Sequence, residues 1–390
     1  MPTRRTVLLG AATALLGTGL GPGLATTPAT ATATEAARTA GAPEAAGPRF
    51  GRYGSPAARP DSRTLYVDPA GAGDHPTVQA AVDATPPNGD PATGWTLVLA
   101  AGTYRAPVRV PADRRHLTVL GATGRARDVV VVHDTAAGTP KPGGGTTGTT
   151  GSATLTALAD GFTAADVTFA NDWLRADHPD WTGTQAVAVK ATGDRTAFLR
   201  CRLLGHQDTL YADSADLASF ARQYYGRCYV EGDVDFVFGR ATAVLDRCEL
   251  RTLARTDTTA VPQGFVFAPS TARANPRGFL ATRCAFTGTA PAGAFRLARP
   301  WVPSSDPTAW PMLTVRRSHL GPGIDAVEPY ANMAAAHPWQ QQRFAEYADT
   351  GPGAAVPVPA NRPQLTAGEA AAHTREVYLA GADGWRPWEG

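Results

Sequence analysis

The sequence predicts an all-β chain wound as a single-stranded parallel β-helix, a solenoid, with a short N-terminal capping helix. Three observations point there. Short β-rich runs recur from Leu65 onward, only one early segment reads as a helix, and four cysteines share one phrase. The runs fall at 65–67, 96–99, 117–120, 129–132, 167–169, 186–189, 197–199, 243–245, 265–267 and 313–315. Gly, Asn, Asp or Pro lies close to most of them, as strand-and-turn architecture requires. Residues 77–84 carry apolar side chains at helical spacing (Val78, Ala81, Val82). One helix cannot supply the crossovers of a doubly wound sheet, which leaves a sandwich, a barrel or a solenoid. The cysteines select the solenoid. Cys201, Cys228, Cys248 and Cys284 each follow an Arg and precede, by two positions, an apolar residue, at offsets of 27, 20 and 36. Repetition at such a period is the mark of stacked coils. Equivalent positions then lie about 4.8 Å apart, so the cysteines form an inward ladder. They read as buried free thiols used for packing, with disulfides the alternative that export leaves open. The spacings CxxC and HxxxH are absent, so a metal site is not expected.

Composition excludes several classes. Of 390 residues, 36 are basic and 34 acidic, for a formal charge of +2. Two of the positives, Arg4 and Arg5, open a leader, so removing it leaves the charges balanced. No basic stripe marks a nucleic-acid binder. The apolar run at 7–16 is too short to span a bilayer. Residues 1–34 have a charged start, an apolar middle and a small-residue tail, which is a secretory signal pattern. The Arg pair resembles a twin-arginine signal, so extracellular secretion of a folded protein is expected. Residues 35–60 lack a hydrophobic period and read as a disordered lead-in. The β-helix is assigned to 61–390.

Aligning the first two cysteine coils exposes a carboxylate pair. Cys201…Gly205…Asp208 lies over Cys228…Gly232…Asp235 at the constant offset of 27. Asp208 and Asp235 therefore leave one face on adjacent coils, with backbones about 5 Å apart. Continuing the alignment through Cys248 places Arg255 at the next rung. Two carboxylates this close cannot both ionise freely, and a split in pKa suits a general acid beside an anionic base or nucleophile. Turn aspartates and a Ca²⁺ site using Asp233 and Asp235 remain alternatives at this point.

Six segments resemble the pectin methylesterases. These are the opening strand and helix from Tyr66 through Thr77 to Ala84, Gln185-Ala-Val-Ala-Val189, and Gly205-His-Gln-Asp-Thr-Leu-Tyr211. They continue with Tyr229-Val-Glu-Gly-Asp-Val-Asp-Phe-Val-Phe-Gly239, Leu297-Ala-Arg-Pro-Trp301 and a closing stretch from Phe344 to Gly353. They occur in the family's order from Tyr66 to the C-terminus. The resemblance implies a right-handed parallel β-helix esterase acting on pectin without metal or cofactor, as a monomer. It implies Asp235 as nucleophile on the methyl-ester carbonyl, and Asp208 as the acid that protonates methanol and then the base that activates water. Gln185 and Gln207 would donate to the oxyanion. Arg299 would hold Asp235 ionised, giving Asp235 a low pKa and Asp208 a high one. Trp301 and Tyr211 would stack on sugar rings, with His206 and Tyr330 also in the groove.

Some positions depart from the pattern. Ala106 replaces a Glu after Gly102-Thr-Tyr-Arg, Ala298 replaces a Gly beside Arg299, and His206 stands where many members carry an aromatic residue. The Gly- and Thr-rich stretch at 137–151 reads as a loop insertion. A pectate lyase or polygalacturonase on the same fold is the alternative, but neither explains Gln185 and Gln207. An inverting water also needs wider carboxylate spacing. A serine esterase lacks its G-x-S-x-G elbow. A purely sugar-binding solenoid has no use for Asp208, Asp235, Gln207 and Arg299 together.

Overall fold

In a computed structural model the described residues are 62–87 and 90–389. The leader assigned to 1–34 and the lead-in assigned to 35–60 lie outside them. The described chain winds through three sheets of ten, eight and seven strands, every strand pair parallel and every neighbour one coil away. A full coil visits the three sheets in turn. One example is Thr196–Leu199 in the first sheet, Arg202–Leu204 in the second and Leu210–Ala212 in the third. No helix among the described residues is long and apolar enough to cross a membrane.

The predicted helix is Val78–Ala84, with the Thr77 hydroxyl accepting from the Ala80 N–H at 3.2 Å. Val78, Ala81 and Val82 are buried against the first strands, so the helix plugs the open end of the apolar bore. Most predicted runs become strands within a residue or two at each end. The 186–189 run does not, and its strand is Val189–Ala191. Residues before Val189 bond irregularly to the next coil instead, Ala186 to the Gln207 carbonyl at 3.1 Å and Ala188 to that of Thr209 at 2.9 Å.

The cysteine ladder is present. Arg202, Tyr229, Glu249 and Ala285 pair in register, so the preceding Cys201, Cys228, Cys248 and Cys284 stack on successive coils. All four are free and buried. Each thiol reaches a carbonyl of the coil before it, for example Cys248 to Tyr225 at 3.1 Å and Cys228 to Phe198 at 3.3 Å. Burial pushes Cys228, Cys248 and Cys284 well above the usual thiol range, which makes them inert packing groups.

The Arg before each Cys, and Arg317 before Ser318 on the following coil, is the turn between the first and second sheets. Arg200, Arg227, Arg247, Arg283 and Arg317 have φ of 53, 54, 57, 56 and 50°. One left-handed residue redirects the chain without a loop, which is why the phrase repeats.

Candidate active site

The turn from the second sheet to the third uses the same device. Asp208 (φ 66°) and Asp235 (φ 49°) are both left-handed, a conformation that Asp tolerates better than most residues. Pairing of Leu210 with Val237 puts the two aspartates in one register on adjacent coils. The glycines that recur with them are steric necessities. A Cβ on Gly232 would lie 2.5 Å from the His206 carbonyl oxygen and 2.3 Å from Phe236 Cβ. Both carboxylates are nearly buried, at 7 and 6% exposure.

Arg255 does not occupy the next rung. Between strands Glu249–Thr252 and Gly264–Pro269 the chain leaves the solenoid, and Val237 pairs with Phe267. Phe265 therefore falls in line with Asp235, a position the cysteine offset missed because the detour lies after Cys248. Arg255 is instead tied to Asp257, Nη2 to Oδ2 at 2.8 Å. Phe265 has a clear task. The Arg299 guanidinium lies 4.0 Å over its ring, and this platform aims the fork back at Asp235. Nε of Arg299 donates to Oδ1 at 2.8 Å and Nη2 to Oδ2 at 2.6 Å. The pair is bidentate, the geometry in which Arg binds a carboxylate best.

Asp208, Asp235, Gln185, Gln207, Arg299 and Trp301 line one cavity of about 520 Å³. The Thr184 hydroxyl donates to Oε1 of Gln207 at 2.7 Å, which leaves the Gln207 amide nitrogen to donate elsewhere. The wall also includes Met333, which the sequence does not single out, and part of the 137–151 insertion. Met333 lies in the cavity and packs on the Tyr211 cluster. The 137–151 insertion folds back so that Thr149 and Thr150 border it.

Tyr211 lines the same cavity, as expected, whereas two other expected groove residues, Tyr330 and His206, do not. Tyr211 lies in register between Lys190 and Phe238. Its ring stacks on Phe238 at 4.2 Å, and the Lys190 ammonium sits 4.8 Å over it. Both faces are thus taken, so Tyr211 presents an edge rather than a face to a sugar. Tyr330 is 4% exposed and does not line this cavity. Its ring packs on Trp339 and Phe344, and its hydroxyl donates to Glu346 at 3.0 Å. His206 does not line the cavity either. Its Nδ1 lies 3.4 Å from Asp233, a buried carboxylate that Arg175 also approaches at 3.3 Å. Burial raises the Asp233 pKa, but His206 and Arg175 outweigh it and hold the carboxyl below its ordinary value.

The electrostatics differ from expectation in one respect. Burial pushes Asp208 well above the carboxylate range, and the neighbouring Asp235 adds to the rise. Asp235 is not low. Burial raises it too, and the Arg299 fork offsets only part of that. The order survives, because Asp235 has the fork and Asp208 rises further. This gives one group poised to hold a proton beside a more acidic, oriented carboxylate. Among the described residues no cluster of three or more His, Cys, Asp or Glu forms a metal-ligand set.

Comparison with known proteins gives the family and the fold. The sequence profile of the family described as Pectinesterase matches residues 64–382. A pectinesterase of Ralstonia solanacearum is 32% identical over 314 residues, covering 73% of this chain and 78% of that protein. A pectin methylesterase from Erwinia chrysanthemi superimposes with a TM-score of 0.72 at 27% identity, over 85% of this chain and 99% of that one. A pectin methylesterase variant solved in complex with a hexasaccharide gives 0.72 at 27%, over 83% and 97%. The fold shared with them is the right-handed parallel β-helix. In profile, sequence and fold alike, the chain belongs to the pectinesterase family.

Proposed function

We propose that the protein hydrolyses the methyl esters of polygalacturonate, the backbone of pectin, to pectate and methanol through an aspartyl nucleophile. The observation that carries this reading is the Asp235 carboxylate, clamped by Arg299, one coil from Asp208, whose pKa burial pushes well above the carboxylate range. An oxygen of Asp235 attacks the ester carbonyl carbon. The developing oxyanion accepts hydrogen bonds from the side-chain amides of Gln185 and Gln207, and such preorganised donors are worth about 3–4 kcal/mol each in related chemistry. The C–O bond to the methoxy group breaks as Asp208 gives it a proton, and methanol leaves an acyl-enzyme on Asp235. The Asp208 carboxylate then takes a proton from water, whose oxygen attacks the acyl carbon. Asp235 departs as a carboxylate, and the uronate is free.

The test is methanol release from highly methylated pectin by wild type and Asp235→Asn, with and without EDTA. Release by wild type alone, insensitive to EDTA, is expected, since Arg299 and the two amides supply the charge and donors of the scheme. An ultraviolet-absorbing unsaturated product without methanol would replace this reading by a lyase.

We also place the mature protein outside the cell as a monomer. The leader with Arg4 and Arg5 supports export. Changing both to Lys is expected to block appearance of activity in the medium. Sedimentation should give a single-chain mass.

A further inference from the structure

The five turn arginines form a second feature, unrelated to the cavity. Arg200, Arg227, Arg247, Arg283 and Arg317 occupy one position on five successive coils, each N–H bonded to the next coil at 2.8–3.1 Å. At about 4.8 Å per coil the row is about 19 Å long. All five are exposed. The row runs along the edge between the first and second sheets, whereas the catalytic aspartates belong to the turn into the third.

The backbone alone does not call for arginine there. A left-handed residue other than Gly, Asn or Asp costs roughly 1–2 kcal/mol. Arg200 has a structural reason to be present, a fork onto Asp166 at 2.8 and 2.7 Å. So has Arg283, whose Nε and Nη2 donate to Asp246 at 3.1 and 2.9 Å. Asp246 is then saturated, because Arg375 and the Tyr224 hydroxyl take its other oxygen at 2.6 and 3.1 Å. Arg227, Arg247 and Arg317 carry no side-chain hydrogen bond or ion pair among the described residues. At one end of the row, Arg200, Arg227, Arg247 and Arg375 converge on a hollow of about 160 Å³ that also includes Asp246. Of these four, Arg200 is paired with Asp166, and Arg375 with Asp246 and Glu376, which leaves the guanidinium groups of Arg227 and Arg247 without a carboxylate partner among the described residues. In a chain of formal charge +2 this is a concentrated positive edge.

We propose that this edge binds a chain of free uronate carboxylates, the de-esterified stretches of polygalacturonate. A guanidinium fork matches a carboxylate, and the rungs repeat over a length comparable to one pyranose. The choice of polyanion rests on the function proposed above. The edge would keep the enzyme on stretches already de-esterified while the cavity meets neighbouring esters, raising their effective concentration. A short, fully methylated oligomer carries no carboxylate along its length and gains nothing from the edge.

The test compares wild type with an Arg227→Gln/Arg247→Gln/Arg317→Gln variant and with the matching Arg→Lys variant. Two readouts are taken: retention on immobilised polygalacturonate at increasing salt, and methanol release from a short, fully methylated oligogalacturonate. The Gln variant is expected to bind polygalacturonate about tenfold more weakly at low salt, with a shallower salt dependence, and to release methanol from the oligomer at the wild-type rate. The Lys variant should retain most of the binding. If the triple Gln variant does not fold, Arg247→Gln alone should show about a threefold loss. Wild-type retention by a folded Gln variant would overturn the proposal. So would equally tight wild-type binding to DNA at matched salt, which would make the edge a general polyanion site. Retention that depends on the arginines, without any methanol release by wild type, would leave the edge standing and remove the esterase reading instead.

Discussion

Asp208 and Asp235 each do two things at once: they turn the backbone left-handed and present a carboxylate to the cavity. Their environments separate them, since only Asp235 has the Arg299 fork. Arg299→Lys keeps the charge but loses the fork and the stacking on Phe265. A fall in kcat of about a hundredfold, with the fold intact by circular dichroism, is expected. The pH profile of methanol release should be a bell. Activity falls on the acid side as Asp235 takes up a proton, and on the alkaline side as Asp208 loses one at its raised pKa. The same burial affects stability. Below the ordinary Asp pKa the folded and unfolded chains both hold the Asp208 proton. Above it the unfolded chain releases the proton first, so native stability declines until the raised folded pKa is passed. Asp208→Asn removes this penalty. It should abolish turnover, match the wild-type Tm at acid pH and exceed it at alkaline pH, as read by thermal unfolding across pH.

The strands and the turns between them explain which parts of this were legible beforehand. The cysteine phrase gave the coil register because a single left-handed residue leaves no room for variable length between Arg and Cys, and that register delivered the aspartate pair. It failed one coil later, where the excursion before Gly264 put Phe265 rather than Arg255 over Asp235. An insertion between two rungs leaves no mark on either. The ring orientation of Tyr211, which does line the cavity, and the placement of Tyr330 escape the sequence for a related reason. A sequence motif locates a ring on a coil but does not tell whether Lys190 and Phe238 already cover its faces, or whether it turns inward to Glu346. The thiol ladder makes its own prediction. With four buried, unpaired sulfurs, reductant should leave Tm unchanged, and a thiol reagent should label none of the four before unfolding. Cys248→Ala should cost about 1 kcal/mol in denaturant titration, the price of a small cavity.

Taken whole, the solenoid is stabilised coil by coil, each against its neighbours only, and its sides need separate cover. The C-terminal segment supplies some. Tyr378 and Leu379 are buried on Tyr224, Val244, Leu280 and Met312 of the first sheet, with Trp385 and Trp388 beside them. Arg375 of the segment donates to Asp246 of the solenoid, and Arg222 of the solenoid donates to Asp383 of the segment. Deleting residues 367–390 should lower stability by about 3 kcal/mol or more, from the loss of Tyr378 and Leu379 burial alone, and should cause aggregation by light scattering. The detour before Gly264 has a wider consequence. A side chain in this molecule has a two-part address, the coil it belongs to and its place around that coil, and residue number converts to that address only until the next excursion. Chain can be added outside the winding without moving any functional group. A single residue added inside one strand would rotate everything downstream to a new bearing and part Arg299 from Asp235, although every side chain of the site remained.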